Sequence, residues 1–252
     1  MHVFRLKGDF DTLDAYAPLL FDFGARGLEE KTGEVWAYFP ERLELPLPGE
    51  WLELPDTDWL EAWRRDLKPV KAGPFVVLAP WHEWMGKEQR IVLEPGMAFG
   101  TGHHETTRLA LEALAERVQP GMRVLDLGTG SGILAIAAAK LGAEAEGVDI
   151  DAAVIPHALE NARINGVNPR LAEGTLESLS GPYALVVANL YAELHGWLAP
   201  GYARVLEPGG RLILTGILAE REPMVRKALE AEGFALEQRR QEGEWVLLAY
   251  TR

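Results

Sequence analysis

Apolar runs of strand length alternate with longer amphipathic stretches from about residue 70 onward. The apolar runs cover residues 124–127, 145–149, 185–190 and 211–216. The amphipathic stretches, which keep the 3.6-residue period of a helix, cover residues 106–118, 132–141, 152–165, 192–206 and 222–232. Strands that are buried on both faces and separated by helices are typical of a doubly wound parallel sheet. The pattern therefore predicts an α/β fold for this part of the chain.

The end of the chain departs from that alternation. Residues 234–240 and 244–251 both have strand patterns, and Glu242-Gly243 between them is a turn signal. A connection this short joins antiparallel strands. The parallel sheet is therefore predicted to finish in an antiparallel hairpin.

A smaller unit with its own pattern precedes this region. Residues 3–7 indicate a strand, residues 12–23 an amphipathic helix, and residues 27–31 and 35–39 the two strands of a hairpin. A proline-rich stretch ends the unit near residue 56, and a tryptophan-containing helix pattern follows until Pro69. We therefore expect three segments: an α+β domain over residues 1–56, a linker helix over 57–69 and the α/β domain over 70–252.

Composition narrows the class of protein. The chain of 252 residues has no cysteine, so disulfides, thiolate metal sites and thiol catalysis are excluded. Its N-terminus carries acidic residues and no apolar h-region, which argues against a signal peptide. No apolar run reaches the roughly 18 residues that a membrane-spanning helix needs. We expect a soluble, cytoplasmic protein.

The charge is acidic and unevenly distributed. The chain has 25 Lys and Arg against 38 Asp and Glu, a net charge of −13. Residues 1–56 alone hold five basic and twelve acidic side chains. Such a surface repels nucleic acid and anionic membranes and favours a basic partner.

A glycine-rich turn follows the first apolar run of the α/β region. The sequence VLDLGTGSGILA passes from a strand through Gly128, Gly130 and Gly132 directly into a helix. Glycines at such a turn let the backbone approach a ligand closely. Dinucleotide-binding proteins use G-x-G-x-x-G, but here the third glycine comes one residue early and position 133 is Ile. This departure argues against NAD, and a tight strand–helix connection without a ligand is the alternative.

An acidic residue ends the next strand. Asp149 follows Gly128 by twenty-one residues, and a carboxylate at this strand tip is placed to accept hydrogen bonds from both hydroxyls of a ribose. Asp149 or Asp151 could instead cap the following helix; we expect Asp151 to cap and Asp149 to bind. With the glycine turn, the pattern resembles class I S-adenosylmethionine-dependent methyltransferases. The segments NARINGV and LEPGGRLIL and the final hairpin follow in that class's order.

Asn189 ends the fourth apolar run, within VVANLYAEL. Methyltransferases of this class bind the acceptor beside the residues that follow this strand. The Asn side chain offers one acceptor and two donors there. In enzymes that methylate planar amides or bases, Pro-Pro-aromatic follows this Asn, whereas this chain has Leu190-Tyr191. A buried Asn that only holds a loop is the alternative, but the position favours a function.

Residues 94–111, EPGMAFGTGHHETTRLAL, form a glycine-rich segment before the first helix of the α/β region. Phe99 is placed to pack on the purine or the methionine arm of the donor. Thr106 and Thr107 are placed to bind its carboxylate while capping the helix. No spaced carboxylate joins His104 and the His before it, which argues against a metal site. Taken alone, the segment is typical of a surface loop with a helix cap.

These segments together are similar to one family. The string G-T-G-x-H-x-T-T, followed by LDLGTGSGILAIAA, GVDID and VANLYAEL, resembles the bacterial methyltransferases of ribosomal protein L11, the PrmA family. The similarity extends from WLEAWRRDLKP to the final hairpin. The small N-terminal unit resembles that family's substrate-recognition domain, a ferredoxin-like sandwich, but it lacks an evident second helix and is a trimmed version.

The resemblance implies S-adenosyl-L-methionine as cofactor and a basic large-subunit ribosomal protein as substrate, methylated on lysine ε-amines and on the N-terminal α-amine. We expect Asn189, at the end of the fourth strand, to be the main catalytic residue, and His104 to be a weaker candidate that shapes the pocket. The cofactor contacts that we expect are Phe99, Thr106, Thr107, Gly128, Thr129, Gly130, Asp149, Ile150 and Asn189. We expect a monomer with no direct contact to nucleic acid or membrane.

Two other functions remain open at this point. A class I methyltransferase acting on another protein amine, a small amine or a glutamine side chain would keep the glycine turn and Asp149, although the missing Pro-Pro-aromatic motif argues against glutamine. A binding protein that retains the cofactor without catalysis is the second. The intact Gly128, Asp149 and Asn189 argue against such decay.

Overall fold

A computed structural model describes residues 2–8, 16, 19–21, 23–25, 27–31, 33–52, 68–94 and 104–252 of the protein. The chain divides into two compact units, Met1–Lys68 and Pro69–Arg252. The predicted linker helix over residues 57–69 falls almost entirely outside the described residues, as does Phe99.

The first unit contains a four-stranded antiparallel sheet in the order β2-β3-β1-β4. Its strands are β1 (His2–Lys7), β2 (Gly27–Lys31), β3 (Glu34–Phe39) and β4 (Gly49–Leu52). This strand order is that of a ferredoxin-like sandwich. Phe4, Leu6, Val35 and Phe39 form its buried core.

Three of these four strands agree with the sequence prediction, and β4 was not predicted because it is short and half-exposed. Residues 40–48, between β3 and β4, contain no helix. The sequence showed no second helix pattern here, and the structure agrees with the expected trimmed version of the sandwich. Most of the predicted helix over residues 12–23 lies outside the described residues, although Leu20 from it is fully buried.

The second unit begins with a small sheet that the sequence analysis did not identify. Its strands are β5 (Val70–Ala72), β6 (Phe75–Leu78) and β7 (Gln89–Val92). Strands β5 and β6 are antiparallel, whereas β6 and β7 are parallel. Runs of three or four residues are too short to show a period, which is why the pattern was missed.

A seven-stranded sheet dominates the second unit, in the order β10-β9-β8-β11-β12-β14-β13. Its strands are β8 (Arg123–Leu127), β9 (Glu144–Asp149), β10 (Arg170–Glu173), β11 (Tyr183–Asn189), β12 (Leu206–Leu218), β13 (Ala235–Glu242) and β14 (Trp245–Thr251). Five strands are parallel, and β14 is antiparallel to both of its neighbours. The doubly wound sheet with a terminal antiparallel hairpin is thus confirmed.

Helices cover both faces of this sheet. They are α1 (Glu105–Arg117), α2 (Ile133–Lys140), α3 (Ile155–Ile164), α4 (Ala192–Val205) and α5 (Glu222–Ala231). One buried cluster joins α1, α2 and α3 to one face, and a second joins α4 and α5 to the other. Val124 and Leu125 of β8 belong to different clusters, as the alternation of side chains along a strand requires.

The predicted boundaries and the observed ones differ most at the following elements. The helix predicted over residues 152–165 begins with a separate 3₁₀ turn, Ala152–Val154, before α3. Strand β12 runs well beyond the predicted residues 211–216 at both ends, and β10 was not predicted. No helix among the described residues is long and apolar enough to cross a membrane.

The strand order reverses between β8 and β11. Strands β9 and β10 extend the sheet on one side of β8, and β11 and β12 extend it on the other. Connections that leave such a point in opposite directions open a crevice at the carboxyl ends of the strands, where open α/β sheets bind ligands. The fold therefore places the candidate site at the ends of β8, β9 and β11.

Candidate functional site

A cavity of about 730 Å³ lies at this switch point, within the range typical of small-molecule sites. Its walls come from the ends of β8, β9 and β11, the first turns of α1, α2 and α4, and the start of β14. Every predicted site residue that the structure describes lines it: His104, Thr106, Thr107, Gly128, Thr129, Gly130, Asp149, Ile150 and Asn189. The sequence therefore identified nine of the residues that line the cavity.

The glycine turn is shaped by backbone conformations that favour glycine. Gly128, Gly130 and Gly132 all have positive φ angles, of 75°, 49° and 82°. The N–H groups of Gly128 and Thr129 both donate to the Val148 carbonyl, which fastens the turn to β9. The turn leads into α2, whose N-cap Gly132 provides no side-chain acceptor, so backbone N–H groups and the positive end of the helix dipole face this region.

Asp149 stabilises the glycine turn and also lines the cavity. Its Oδ2 accepts a hydrogen bond from the Gly130 N–H at 2.9 Å, and its Oδ1 accepts one from the Asp151 N–H at 3.1 Å. A carboxylate has about four lone-pair sites, so each oxygen can still accept a hydroxyl of a ribose. Asp151 caps the following 3₁₀ turn by accepting from the Ala153 N–H at 2.9 Å, as predicted.

Asp126 is an acidic residue of the site that the sequence analysis left without a role. It is buried beneath the glycine turn, where its Oδ2 accepts hydrogen bonds from the Thr129 hydroxyl at 2.7 Å and the Ala135 N–H at 3.1 Å. Its Oδ1 is buried with no hydrogen-bond partner among the described residues. Burial raises the pKa of Asp126 to about 7, and the nearby Asp149 charge adds to the rise. The sequence signal that could have identified Asp126 is an acidic residue within an apolar strand, just before a glycine-rich turn.

His104 begins α1 and is its N-cap. Its Nδ1 accepts a hydrogen bond from the Thr106 N–H at 3.3 Å and lies 2.8 Å from the Thr106 hydroxyl. The imidazole also contacts the Trp245 ring edge to face, with 4.9 Å between centroids. The expectation that Thr106 and Thr107 cap the helix was wrong, because α1 begins at Glu105, one residue before the predicted start.

Thr107 has a different environment from Thr106. Its hydroxyl oxygen is fully buried, has no hydrogen-bond partner among the described residues, and belongs to a residue that lines the cavity. Leaving such a group unpaired costs about 1–3 kcal/mol. A polar group of a bound ligand would remove that cost.

Asn189 is the last residue of β11 and is paired in register with Thr215 of β12. The Thr215 carbonyl accepts hydrogen bonds from the Leu190 N–H at 3.1 Å and from Nε2 of the buried His195 at 2.9 Å. His195 Nδ1 accepts from the Tyr202 hydroxyl at 3.1 Å. The backbone after Asn189 is therefore held by a histidine of α4 that the sequence pattern did not reveal.

The cavity fits S-adenosyl-L-methionine. No lysine or arginine occurs among its described lining residues, whereas Asp149 and Glu177 both line it, so it favours a cationic ligand such as a sulfonium. Asp149 lines it with lone pairs that can accept from ribose hydroxyls, and Thr107 of the first turn of α1 lines it as well. Apolar lining residues such as Leu176 and the largely exposed Ile150 complete the walls.

The sheet order, the glycine turn and the carboxylate at the tip of β9 define a class I S-adenosylmethionine-dependent methyltransferase. The family model for ribosomal protein L11 methyltransferase (PrmA) matches residues 31–252. The chain belongs to this family and is an S-adenosylmethionine-dependent protein methyltransferase.

Individual proteins named for this activity are similar over long stretches. The ribosomal protein L11 methyltransferase of Thermus thermophilus is 63% identical over 254 residues, covering all of both chains. That of Deinococcus radiodurans is 50% identical over 271 residues, covering 100% of this chain and 99% of the relative. The crystal structure of a ribosomal protein L11 methylase from Lactobacillus delbrueckii subsp. bulgaricus superposes with a TM-score of 0.66 at 33% identity, covering 71% of this chain and 93% of that one.

Proposed function

We propose that the protein transfers methyl groups from S-adenosyl-L-methionine to ribosomal protein L11, on lysine ε-amines and on the N-terminal α-amine. The observation that carries this proposal is that Asp149 and Asn189 line one cavity, in a chain that matches, over its full length, a relative named for this activity. In this proposal the first residue binds the donor and the second binds the acceptor.

The donor is held mainly by the strand tips and the helix starts. Asp149 accepts hydrogen bonds from the two ribose hydroxyls, and the backbone from Gly128 to Gly130 lies against the methionine arm. The Thr107 hydroxyl binds the carboxylate at the start of α1. Ile150 packs against the purine, and a contact from Phe99 remains a prediction from the sequence. Thr106 supports this region through its hydrogen bond to the His104 ring.

The residues of the chain contribute position more than acid–base chemistry. S-adenosyl-L-methionine, when bound, would supply a methyl group on a positively charged sulfur. The acceptor ammonium would first lose a proton to solvent; the lone pair of the neutral amine would then attack the methyl carbon in line, and the thioether sulfur would leave with the electrons of the broken C–S bond. Asn189 Oδ1 accepts a hydrogen bond from that amine and directs its lone pair, so alignment accounts for most of the acceleration. His104 shapes the pocket, because its Nδ1 is already engaged by Thr106.

The N-terminal unit is proposed to recognise the substrate. Residues 1–56 carry twelve acidic against five basic side chains, which suits a basic ribosomal protein and disfavours direct contact with nucleic acid. We propose residues 57–69 as the linker that joins it to the methyltransferase domain, residues 70–252. The enzyme is proposed to act in the cytoplasm as a monomer.

Labelled donor and purified L11 test this function, with a second basic ribosomal protein and free lysine as competing acceptors. We expect label in L11 alone. Labelling of the other acceptors at the same rate, or binding of the donor without any transfer, would contradict the proposal.

The assigned roles are tested by single-turnover kinetics on two variants. Asn189→Ala should slow transfer on the order of 100-fold because orientation is lost, with a smaller loss of donor affinity. His104→Ala should slow it less. If His104→Ala stopped transfer and Asn189→Ala barely slowed it, the acceptor would have been assigned to the wrong residue.

A further inference from the structure

Three large apolar side chains at the start of α4 are exposed to solvent. The exposed fractions are 71% for Tyr191, 41% for Leu194 and 86% for Trp197. The residues are spaced three apart on and just before α4, so they lie along one side of its first two turns. A contiguous patch of exposed apolar side chains is typical of a binding surface. We call these three residues the α4 rim.

The α4 rim borders the cavity of the proposed donor site. Tyr191, Leu194 and Trp197 all line that cavity, together with Asn189 and Asp149. Since they are also exposed, they lie where the cavity opens to solvent. Tyr191 follows Asn189 by two residues, and the Leu190 N–H between them is fixed to the Thr215 carbonyl at 3.1 Å. A group that reaches Asn189 from solvent is therefore well placed to contact the rim.

The charges of the cavity restrict which kind of chemical group can reach Asn189 from solvent. Among the described lining residues there are two carboxylates, on Asp149 and Glu177, and no lysine or arginine. Near these carboxylates a cationic group is favoured over a phosphate or carboxylate group. The matching side chain has an apolar stem for the rim and a cationic end for the cavity. Lysine has both, in a four-carbon stem that packs on apolar surface and a terminal ammonium.

We propose that the α4 rim is the surface on which the acceptor lysine of the substrate protein docks, with its stem against Trp197 and Leu194 and its nitrogen directed towards Asn189. The proposal rests on the proposed function and adds the residues that receive the acceptor. It assigns Trp197 to the substrate protein and not to the donor.

A comparison of three variants with the wild type tests this docking surface. Trp197→Ala removes the largest exposed ring of the rim, and Trp197→Phe keeps an aromatic ring there. Trp81→Ala is the matched control, because Trp81 is 38% exposed and does not line the cavity. For each protein, kcat and KM for L11 are measured at saturating donor, and the dissociation constant for S-adenosyl-L-methionine is measured by calorimetry.

We expect Trp197→Ala to lower kcat/KM for L11 about tenfold or more, the usual effect of removing a central interface tryptophan. Trp197→Phe should recover part of the loss, and Trp81→Ala should match the wild type. Donor affinity should stay within about twofold in all three.

Two results would overturn the assignment of the α4 rim as the docking surface without affecting the proposed function. One is a Trp197→Ala enzyme with wild-type kcat/KM for L11. The other is a loss of donor affinity as large as the loss of kcat/KM, which would assign Trp197 to the donor. A wild-type enzyme that does not methylate L11 would instead overturn the proposed function, and the docking surface with it.

Discussion

At the scale of single residues, two neighbouring aspartates of the site have different environments and different tasks. Asp149 lines the cavity and accepts hydrogen bonds from two backbone N–H groups. Asp126 is buried below the turn, and desolvation raises its pKa to about 7. We infer that the first binds the donor, whereas the second supports the turn through Thr129 and Ala135.

Asp149→Ala should weaken donor binding. Two lost hydrogen bonds to a carboxylate are worth about 2–4 kcal/mol, which is a roughly 30- to 1,000-fold larger dissociation constant. Calorimetric titration measures the change, and thermal unfolding checks that the variant is folded. Asp151→Ala is the control, because it loses a cap near the site but no predicted donor contact. Equal donor affinities in a folded Asp149→Ala variant and the wild type would show that Asp149 does not bind the donor.

Asp126 should make stability fall as the pH rises. Its pKa is raised from 3.8 to about 7 in the fold, so between these values the native state keeps a proton that the unfolded chain releases, and its stability decreases with increasing pH. His195 acts in the opposite direction: burial lowers its pKa from 6.5 to about 4, so its contribution is present above pH 6.5 and is lost as the pH falls towards 4.

Asp126→Asn removes the first of these two effects and leaves the second. Without donor, the free energy of unfolding of the variant, measured by urea titration between pH 4.5 and pH 7 (roughly the range between the two pKa values), should rise more steeply with pH than that of the wild type. Parallel curves for the two proteins would show that Asp126 is ionised throughout this range.

At the scale of elements, the ends of strands and the starts of helices build the site. The backbone after β11 packs directly on β12 at Gly216, whose φ is +82°. A Cβ there would lie 2.4 Å from the Leu190 carbonyl oxygen and 3.0 Å from Asn189 Oδ1. The close approach of these strand ends therefore sets the position of Asn189.

Gly216→Ala should lower kcat at least tenfold, because a displacement of about 1 Å at a reacting group can reduce rates up to about 100-fold. Gly209→Ala is a matched control: its φ is +78°, but nothing lies within 4 Å of the added Cβ. Both variants should lose stability through backbone strain, and only Gly216→Ala should lose kcat. Similar kcat values in the two variants would show that the contact with Asn189 is unimportant.

The long elements could be predicted from sequence because each has many residues to show its period. The five α-helices described in the second unit and the strands β8, β9, β11 and β12 appeared in the pattern, whereas β5, β6, β7 and β10 are too short to do so. The functional residues also fall into a predictable group and an unpredictable one. Asp149 and Asn189 were recognisable because they end predicted strands. The roles of Asp126 and His195 depend on burial and on partners distant in sequence, such as Thr215, which no local pattern contains.

At the scale of the whole molecule, binding of the donor and recognition of the protein substrate are proposed to belong to different units. The second unit, Pro69–Arg252, has its own two buried clusters and the complete set of described cavity residues. The first unit has a separate small core. The acidic excess of residues 1–56 gives that unit a means of attracting a basic protein.

Removal of residues 1–56 should therefore spare donor binding and abolish methylation of L11. Calorimetry with S-adenosyl-L-methionine reports whether the shortened protein is folded, and labelled donor reports transfer to L11. If the shortened enzyme binds the donor and methylates L11 at the normal rate, recognition of the substrate does not lie in the first unit.

We propose that the cavity at the β8–β11 switch point holds the methyl donor with its sulfur facing the acceptor position at Asn189. A crystal structure of the protein with S-adenosyl-L-homocysteine, the product left after transfer, tests it most directly. We predict the ribose hydroxyls on the Asp149 carboxylate, the amino-acid carboxylate beside Thr107, and the sulfur towards Asn189. A ligand bound outside this cavity, or one whose sulfur points away from the end of β11, would show that the donor site is assigned wrongly.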